Sequence, residues 1–327
     1  MTLDNDQSYM HMALNMARQG VGYVAPNPSV GCIIVNDGVV VGRGRTAAGG
    51  RPHAEAAALV QAGALAKGAT VYVTLEPCVG HGREGPCADA LIKAQVRRVV
   101  VACHDLNPVV YKKGVQTLED AGVEVTFGVL EDGAQEKHRG FFLRVTNNRP
   151  FVTLKQAISA DGKIAAAKGR RTQISGELAQ RHMHLQRSMH DAILVGSETY
   201  LSDQPRLTTR VLGVSHEPLR LVLDRRGRVG DVPGFEVLDM DDIRGVLEYL
   251  AGKGMTRLLV EGGAKIHRSF LESGFVDEFQ LCKSSQILGE NGVDGVSEAE
   301  ILAVSGLKHQ KTRVLGEDIL DIYGKAL

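Results

Sequence analysis

The chain has 327 residues, enough for about two domains that each bury their own core. Hydrophobic residues make up 43% and charged residues 23% of it, a globular composition that excludes disordered and fibrous proteins. Lys plus Arg and Asp plus Glu are balanced at 38 each, which argues against nucleic acid or an anionic membrane as a partner and favours a small-molecule substrate.

The predicted elements of the first half alternate between helices and strands. In chain order, we predict helix 7–19, a hairpin within 30–44 around Asn36-Asp37-Gly38, helix 53–62, strand 70–75, a helix opened by Pro86-Cys87, strand 98–102, helix 115–121, strand 124–128 and a helix from near Gln135. This alternation predicts a three-layer α/β sandwich with a largely buried sheet.

The second half begins after Asn147, where a helix ends and a new strand starts at Phe151. We therefore predict two domains, residues 1–147 and 148–327. In chain order, the second comprises strand 151–155, helix 177–189, strands 192–196 and 219–224, helix 241–251, strand 257–261, helix 266–272 and strand 278–282. It is a second α/β domain.

No run approaches eighteen apolar residues, and residues 1–12 lack the features of a secretion signal, so we expect a cytoplasmic protein. The cysteine count of five is odd and argues against a disulfide framework. Cys32, Cys103 and Cys282 lie in or beside apolar strands, where we expect them to be buried as small hydrophobic residues. The remaining two cysteines are candidates for metal binding.

Those two cysteines belong to a set of three predicted zinc ligands, His53, Cys78 and Cys87. One imidazole and two thiolates leave the fourth tetrahedral position of zinc open for water, which is typical of a catalytic zinc site. Cys87 opens a helix, and a helix N-terminus favours the thiolate form. The order His-x-Glu, Pro-Cys, Pro-Cys is that of zinc deaminases, although eight residues separate the two cysteines here instead of two.

Glu55 is the predicted catalytic residue. It lies two residues after His53, close enough to reach the open zinc position without being a ligand. There it can take a proton from the attacking water and deliver it to the departing amine, which is general acid/base catalysis.

Motifs in both halves resemble those of the bifunctional deaminase–reductase family of riboflavin biosynthesis. In order, they are Asn27-Pro-Ser-Val-Gly-Cys32, His53-Ala-Glu55, Val73-Thr-Leu-Glu-Pro-Cys78, Pro86-Cys87, Asp105-Leu-Asn-Pro108, Thr153-Leu-Lys155, Asp161-Gly-Lys163, Val195-Gly-Ser-Glu-Thr199, Asp203-Gln-Pro205 and Val260-Glu-Gly-Gly263. The resemblance spans nearly the whole chain, and the eight-residue cysteine gap is the family's own.

The resemblance implies a cytidine-deaminase-like N-terminal domain and a dihydrofolate-reductase-like C-terminal domain. The first would use Zn²⁺ to deaminate 2,5-diamino-6-(5-phosphoribosylamino)pyrimidin-4(3H)-one to 5-amino-6-(5-phosphoribosylamino)uracil. The second would use NADPH to reduce the ribosyl group to ribityl. The family also implies a homodimer.

The resemblance also implies site residues. The deaminase substrate would contact Asn27, Arg83, Asp105 and Asn107, and the reductase substrate would contact Lys155, Asp203, Leu207, Arg210 and Glu261. The cofactor would contact Ser175, Gly196, Thr199, Gly262 and Gly263, with Arg225 or Arg226 at the 2′-phosphate. A glycine pair between a strand and a helix suits close backbone approach to a phosphate.

Two alternatives remain open. One is a zinc deaminase of another amine-bearing base with a degenerate reductase domain. Departures from the family pattern at Thr46 and Gly80 favour it, and Glu84-Gly85 also departs in the first half. In the second half, the departures at Gln173, Arg225 and Ser284-Ser285 bear on the reductase cofactor pocket. The other is a zinc-stabilised scaffold without turnover, but an acid such as Glu55 beside an open zinc position has no structural need to be there.

Overall fold

The computed structural model describes residues 3–80, 85–214 and 216–325, with only the backbone of residues 3, 4, 304 and 305. The chain forms two compact units, Met1–Asn148 and Arg149–Leu327. None of the described helices is long and apolar enough to cross a membrane.

The first unit is built on a five-stranded sheet. Its strands are β1 (Gly31–Asn36), β2 (Val39–Arg45), β3 (Thr70–Val73), β4 (Arg98–Val101) and β5 (Glu124–Phe127). Its helices are α1 (Leu3–Arg18), α2 (Ala54–Ala62), α3 (Cys87–Lys93), α4 (Lys113–Asp120) and α5 (Glu131–Asn147). The spatial order is β2-β1-β3-β4-β5, with β1 antiparallel to β2 and β3, and β3, β4 and β5 parallel.

Helices cover both faces of this sheet. A side chain at Gly31 would meet the backbone of Ala13 in α1, whereas a side chain at Gly44 would meet the backbone of Ala54 in α2. Gly44 pairs with Cys32, the neighbour of Gly31, so the two glycines point to opposite faces. The predicted three-layer sandwich is therefore present, and its close packing depends on these glycines.

The second unit is built on a larger sheet. Its strands are β6 (Phe151–Ile158), β7 (Lys163–Ala165), β8 (Ala192–Gly196), β9 (Leu219–Leu223), β10 (Glu236–Leu238), β11 (Arg257–Glu261), β12 (Glu278–Lys283), β13 (Val293–Asp294), β14 (Lys308–Leu315) and β15 (Asp318–Gly324). Its helices are α6 (Glu177–Ser188), α7 (Ser197–Asp203), α8 (Ile243–Gly252), α9 (Ala264–Glu272) and α10 (Glu298–Ser305).

Eight of these strands form one sheet in the order β10-β9-β8-β11-β6-β12-β15-β14. The six strands from β10 to β12 in this order are parallel. β15 pairs with β12 in the antiparallel direction, and β14 pairs with β15 to form a hairpin at the edge of the sheet. The elements predicted from the sequence include neither α7, nor α10, nor this hairpin. In parallel sheets, ligand sites form where the strands end, so we expect the second site at the carboxyl ends of β8, β11 and β6.

A buried ion pair between Asp6 and Arg98 connects α1 to the sheet of the first unit. Asp6 in α1 is 3% exposed and accepts two hydrogen bonds from the Arg98 guanidinium, at 2.7 and 3.1 Å, and one from the Tyr72 hydroxyl at 2.8 Å. Burial pushes the pKa of Asp6 upward, but the hydrogen bonds from Arg98 and Tyr72 outweigh it and leave the pKa below its usual range.

We expect Asp6→Asn to lower the free energy of unfolding by about 3 kcal/mol, because it leaves the Arg98 charge without its buried partner. A depressed pKa contributes stability above the unfolded-state value, about 3.9 for aspartate, and loses it as the pH falls through the folded-state value. The stability difference between wild type and variant should therefore shrink as the pH is lowered below about 4. A constant difference across denaturant titrations from pH 7 to pH 3 would contradict this account.

Candidate active site and cofactor site

The three predicted zinc ligands converge at the carboxyl end of β3. His53 is the N-cap of α2, Cys78 lies in the loop after β3, and Cys87 is the first residue of α3. β2 and β3 both run antiparallel to β1, so they end at the same edge, and the helix starts that follow lie together there. Chain direction and crossover connections thus bring together three residues, the first and last of which are 34 positions apart in sequence.

The ligand atoms have the spacing of a small metal site. His53 Nδ1 lies 3.3 Å from Cys87 Sγ and 3.6 Å from Cys78 Sγ. All three ligand atoms lie within 4.8 Å of one another, and among the described residues they form one such group without a fourth member. This donor set, one imidazole and two thiols, fits tetrahedral zinc with one open position.

The electrostatics of the cluster also suit a cation. Hydrogen bonding from the Cys87 thiol, with a further bond from His53, lowers the pKa of Cys78 to about 4. The same hydrogen bond and burial raise the pKa of Cys87 well above its usual range. One thiolate therefore forms readily, and the second requires an added positive charge beside it. A divalent cation supplies that charge and would be held by His53, Cys78 and Cys87.

Glu55 lies in the first turn of α2 and is 3% exposed. Burial raises its pKa to about 7, with the nearby Cys78 adding to the effect. A carboxyl group with a pKa near the operating pH can both accept and return a proton. The structure thus places a carboxyl group that is able to carry a proton beside the three predicted zinc ligands.

The other residues predicted for the first site lie on two loops. The Asn27 amide donates to Gly50 O at 2.8 Å and so joins the segments before β1 and after β2. Asp105, which follows β4, accepts from the Asn107 backbone N–H at 2.8 Å, and burial raises its pKa to about 6. Asp105 is close enough to Cys78 for their charges to interact. Arg83 lies outside the described residues.

One departure from the family pattern in this unit has a structural role. Thr46 is 2% exposed, and its hydroxyl donates to Pro28 O and accepts from the Val30 N–H. It therefore links the strand ends beside Asn27. At Gly80, no described atom lies within 4 Å of the position that a side chain would take, and Glu84 lies outside the described residues.

In the second unit, four predicted cofactor residues come together. Gly196 is the N-cap of α7 and Gly263 the N-cap of α9, at the ends of the adjacent parallel strands β8 and β11. The Thr199 hydroxyl accepts from the Gly263 N–H at 3.1 Å, and a side chain at Gly262 would lie 3.5 Å from that hydroxyl. At two helix N-termini that begin with glycine, a phosphate group can approach the backbone N–H groups closely.

The two other predicted cofactor residues make separate contacts. Ser175 precedes α6, and its carbonyl accepts from Gln180 at 3.0 Å. Arg225 is exposed and donates to Asp241 O at 3.3 Å. A cavity of about 300 Å³ adjoins the start of α6 and is lined in part by Gly176, Ser284 and Asp318.

Two residues predicted for the reductase substrate lie side by side. Lys155 in β6 pairs in register with Glu261 in the neighbouring β11. Burial lowers the pKa of Lys155, and the nearby Glu261 opposes that shift. Glu261 is itself clamped by Arg187, whose guanidinium donates to both carboxylate oxygens at 2.7 and 2.8 Å.

The remaining predicted substrate residues differ in exposure. Leu207 is 2% exposed, has φ 52° and packs in a core cluster, so its side chain is directed into the protein interior. Asp203 ends α7 and accepts from the Ser202 hydroxyl, and Arg210 is exposed. The structure thus places Lys155 and Glu261 opposite each other on neighbouring strands. Asp203 lies at the end of α7, and Leu207 and Arg210 lie in the loop after it.

Sequence reasoning missed Arg187, Glu76 and Arg228. Arg187 also donates to Thr208 O at 3.1 Å, and Arg228 donates to the Ser197 hydroxyl at the start of α7 at 2.6 Å. One signal was available for Arg187: it lies four residues after the buried Met183 on the same face of α6. A cation on an apolar helix face requires a partner.

Both halves of the chain match families of known proteins. Residues 3–103 match the family model of the cytidine and deoxycytidylate deaminase zinc-binding region, and residues 150–320 match that of the RibD C-terminal domain. The riboflavin biosynthesis protein RibD of Aquifex aeolicus is 38% identical over 349 aligned residues, which cover 96% of this chain and 97% of that protein.

The whole chain is also similar to solved structures. RibD of Acinetobacter baumannii, form 1, is 35% identical with a TM-score of 0.89, and the match covers 100% of both chains. A diaminohydroxyphosphoribosylaminopyrimidine deaminase/5-amino-6-(5-phosphoribosylamino)uracil reductase of Thermotoga maritima is 31% identical with a TM-score of 0.90, over 99% of both chains.

These matches confirm the predicted fold class of each half and the predicted zinc and NADPH chemistry. The chain belongs to the RibD family of bifunctional riboflavin biosynthesis enzymes, with a zinc-binding deaminase domain and an NADPH-using reductase domain.

Proposed function

We propose that residues 1–147 deaminate 2,5-diamino-6-(5-phosphoribosylamino)pyrimidin-4(3H)-one and that residues 148–327 reduce the ribosyl group of the product. The observation that carries this proposal is the buried Glu55 beside His53, Cys78 and Cys87, on a chain whose second unit matches the reductase domain of the same family. Incubation with the diaminopyrimidine ribotide and NADPH, followed by NADPH absorbance and product mass, tests both halves together.

In the first site, this chain's residues bind the substrate and move protons. When bound, Zn²⁺ activates water for attack on the amine-bearing ring carbon. The Glu55 carboxylate accepts a proton from the attacking water and returns it to the departing amine. Asn27 and Arg83 would contact the pyrimidine, and Asp105 and Asn107 would lie near the sugar phosphate.

In the second site, the two helix starts bind phosphate and the strand ends orient the sugar. NADPH supplies the hydride when bound. Gly196, Thr199, Gly262 and Gly263 would hold its phosphates, and Ser175 would line the same cofactor. Lys155 and Glu261 would orient the opened ribosyl chain, together with Asp203 at the end of α7 and Leu207 and Arg210 of the loop after it.

The finer assignments of assembly and location follow the family. We propose a homodimer that acts in the cytoplasm on a phosphoribosylated pyrimidine and binds neither nucleic acid nor membrane. The balanced charge of the sequence supports the absence of a polyanionic partner. Sedimentation of the purified chain tests the dimer.

Zinc should bind at one equivalent per chain, and Cys78→Ser or Cys87→Ser should lose most of it, because a hydroxyl is a far poorer zinc ligand than a thiolate. Metal analysis of the purified variants checks this. Cys103→Ser is the matched control: Cys103 is buried in the same unit, donates to Thr74 O, and should retain a full equivalent. Full zinc in Cys78→Ser would refute the ligand set.

Replacing both Arg225 and Arg226 by Ser should reduce the preference for NADPH over NADH by about tenfold, because each guanidinium can pair with the 2′-phosphate that NADH lacks. Steady-state reduction with each cofactor measures the ratio. Arg181→Ser, which removes an exposed arginine that pairs with Glu177 on the surface of α6, should leave the ratio unchanged. If both arginines face solvent, the double variant will behave like this control.

A further inference from the structure

Glu76 is a buried carboxylate that neither the ligand set nor the proton transfer uses. It lies two residues before Cys78, and its side chain is fully shielded from solvent. It accepts five hydrogen bonds: from the backbone N–H groups of Gly114 at 2.9 Å, Val115 at 3.1 Å, Lys112 at 3.0 Å and Asp105 at 3.3 Å, and from His104 Nδ1 at 2.9 Å. Two carboxylate oxygens have about four lone-pair sites, so Glu76 is saturated.

These donors all lie between the end of β4 and the first turn of α4. The first N–H groups of a helix have no partner within the helix, and a carboxylate there also complements the helix dipole. Glu76 therefore caps α4 from another part of the chain. The same carboxylate accepts hydrogen bonds from residues 104 and 105. Both ends of segment 104–115 are therefore hydrogen-bonded to the loop that carries Cys78.

The His104 ring is fixed from two sides. It stacks on Phe127 at 4.1 Å between ring centres, with 23° between the planes, while Nδ1 meets Glu76. Because the carboxylate can only accept, the proton of that bond is on Nδ1. His104 thereby links β5, the segment after β4 and the Cys78 loop.

An independent observation shows how closely α4 approaches the same loop. A side chain at Gly114 would lie 2.0 Å from Pro77 O and 3.0 Å from the Glu76 side chain. Pro77 is the neighbour of Cys78. The start of α4 can contact the zinc-ligand loop only because residue 114 has no side chain.

We propose that Glu76 is a positioning residue for deamination. It holds segment 104–107, which contains Asp105 and Asn107, at a fixed distance from the zinc ligand Cys78. The inference rests on the proposed function, in which Asp105 and Asn107 lie near the sugar phosphate of the substrate. The zinc ligands and Glu55 do the chemistry, and Glu76 sets the distance between that chemistry and the substrate's phosphoribosyl end.

The test is Glu76→Gln. One amide oxygen can still accept from Gly114 and Val115, but the amide nitrogen is a donor and would face three donors. We expect the KM for the ribotide to rise about tenfold or more while kcat stays within about threefold. Zinc content should stay at one equivalent and reduction of supplied intermediate should be unchanged.

Two measurements separate positioning from general destabilisation. Asp6→Asn is the matched control, because it also converts a buried carboxylate of the first unit to an amide, at Arg98, the residue that begins β4. It should leave the KM unchanged. Amide hydrogen exchange of residues 104–115 should be at least about tenfold faster in Glu76→Gln than in wild type or Asp6→Asn.

If Glu76→Gln does not fold, Gly114→Ala is used instead, since it retains the carboxylate but pushes α4 away from Pro77; the same rise in KM is expected. An unchanged KM in the folded variant, a fall in kcat at constant KM, or an equal rise in KM for Asp6→Asn overturns the proposal. A wild-type chain that does not convert the ribotide refutes the proposed substrate instead. The exchange measurement then decides on Glu76, and exchange no faster than in wild type overturns it.

Discussion

Glu55→Gln should lower the kcat of deamination by about 100-fold or more, because the amide retains the shape of the side chain but cannot accept the proton of the attacking water. Glu55 is buried in the first turn of α2, and the substitution retains the zinc ligand His53 at the N-cap of that helix. The measurement is ammonia release from the diaminopyrimidine ribotide under single-turnover conditions, with zinc content determined on the same samples.

The effect should be confined to one site. Reduction of supplied deaminated intermediate by Glu55→Gln should match wild type, since the second unit supplies its own groups. Asp6→Asn is the control here too, because it removes a carboxylate of the same unit away from the zinc ligands, and its deaminase kcat should stay within about twofold. If Glu55→Gln lost both activities while remaining folded by circular dichroism, two independent sites would be the wrong description.

Lys155→Ala should lower NADPH-dependent reduction by about 100-fold, because it removes the buried cation next to Glu261 that we propose orients the opened ribosyl chain. Deamination should continue, so 5-amino-6-(5-phosphoribosylamino)uracil should accumulate unreduced. Product mass and NADPH absorbance, recorded together, measure both steps.

Two further variants make this result specific to the charge. Lys155→Met keeps an unbranched apolar stem of similar length and should be as impaired as Lys155→Ala. Lys253→Ala removes a lysine of the same unit that pairs with Glu236 near the surface, and it should reduce normally. A wild-type chain that deaminates but never oxidises NADPH would instead support the degenerate-reductase alternative and direct attention to Gln173, Arg225 and Ser284-Ser285.

Local sequence determined much of the first unit. Asn36-Asp37-Gly38 predicts the β1–β2 hairpin because Asp37 and Gly38 adopt positive φ, at 48° and 79°. Pro86 before Cys87 predicts the start of α3, where the structure has Pro86 as the N-cap. The ligand types and their order predict zinc because metal coordination needs particular side chains, which are visible in any sequence.

Two of the elements that were not predicted, β14 and α7, carry weak local signals. β14 is exposed along almost its whole length and therefore has no alternation of apolar and polar residues; it is a strand because β15 supplies its hydrogen bonds. α7 has seven residues, shorter than the window in which helical periodicity can be recognised.

From the sequence alone we predict the alternation of strands and helices, the set of three candidate zinc ligands, Glu55 as the proton carrier and the resemblance to a deaminase–reductase family. The pairing of charges became visible in the folded chain: Arg187 pairs with Glu261, 74 residues away, and Glu76 binds the start of α4, 38 residues away. Such pairs depend on which strands are neighbours and on where crossover helices begin. No local pattern encodes that arrangement, because it follows from packing the whole sheet.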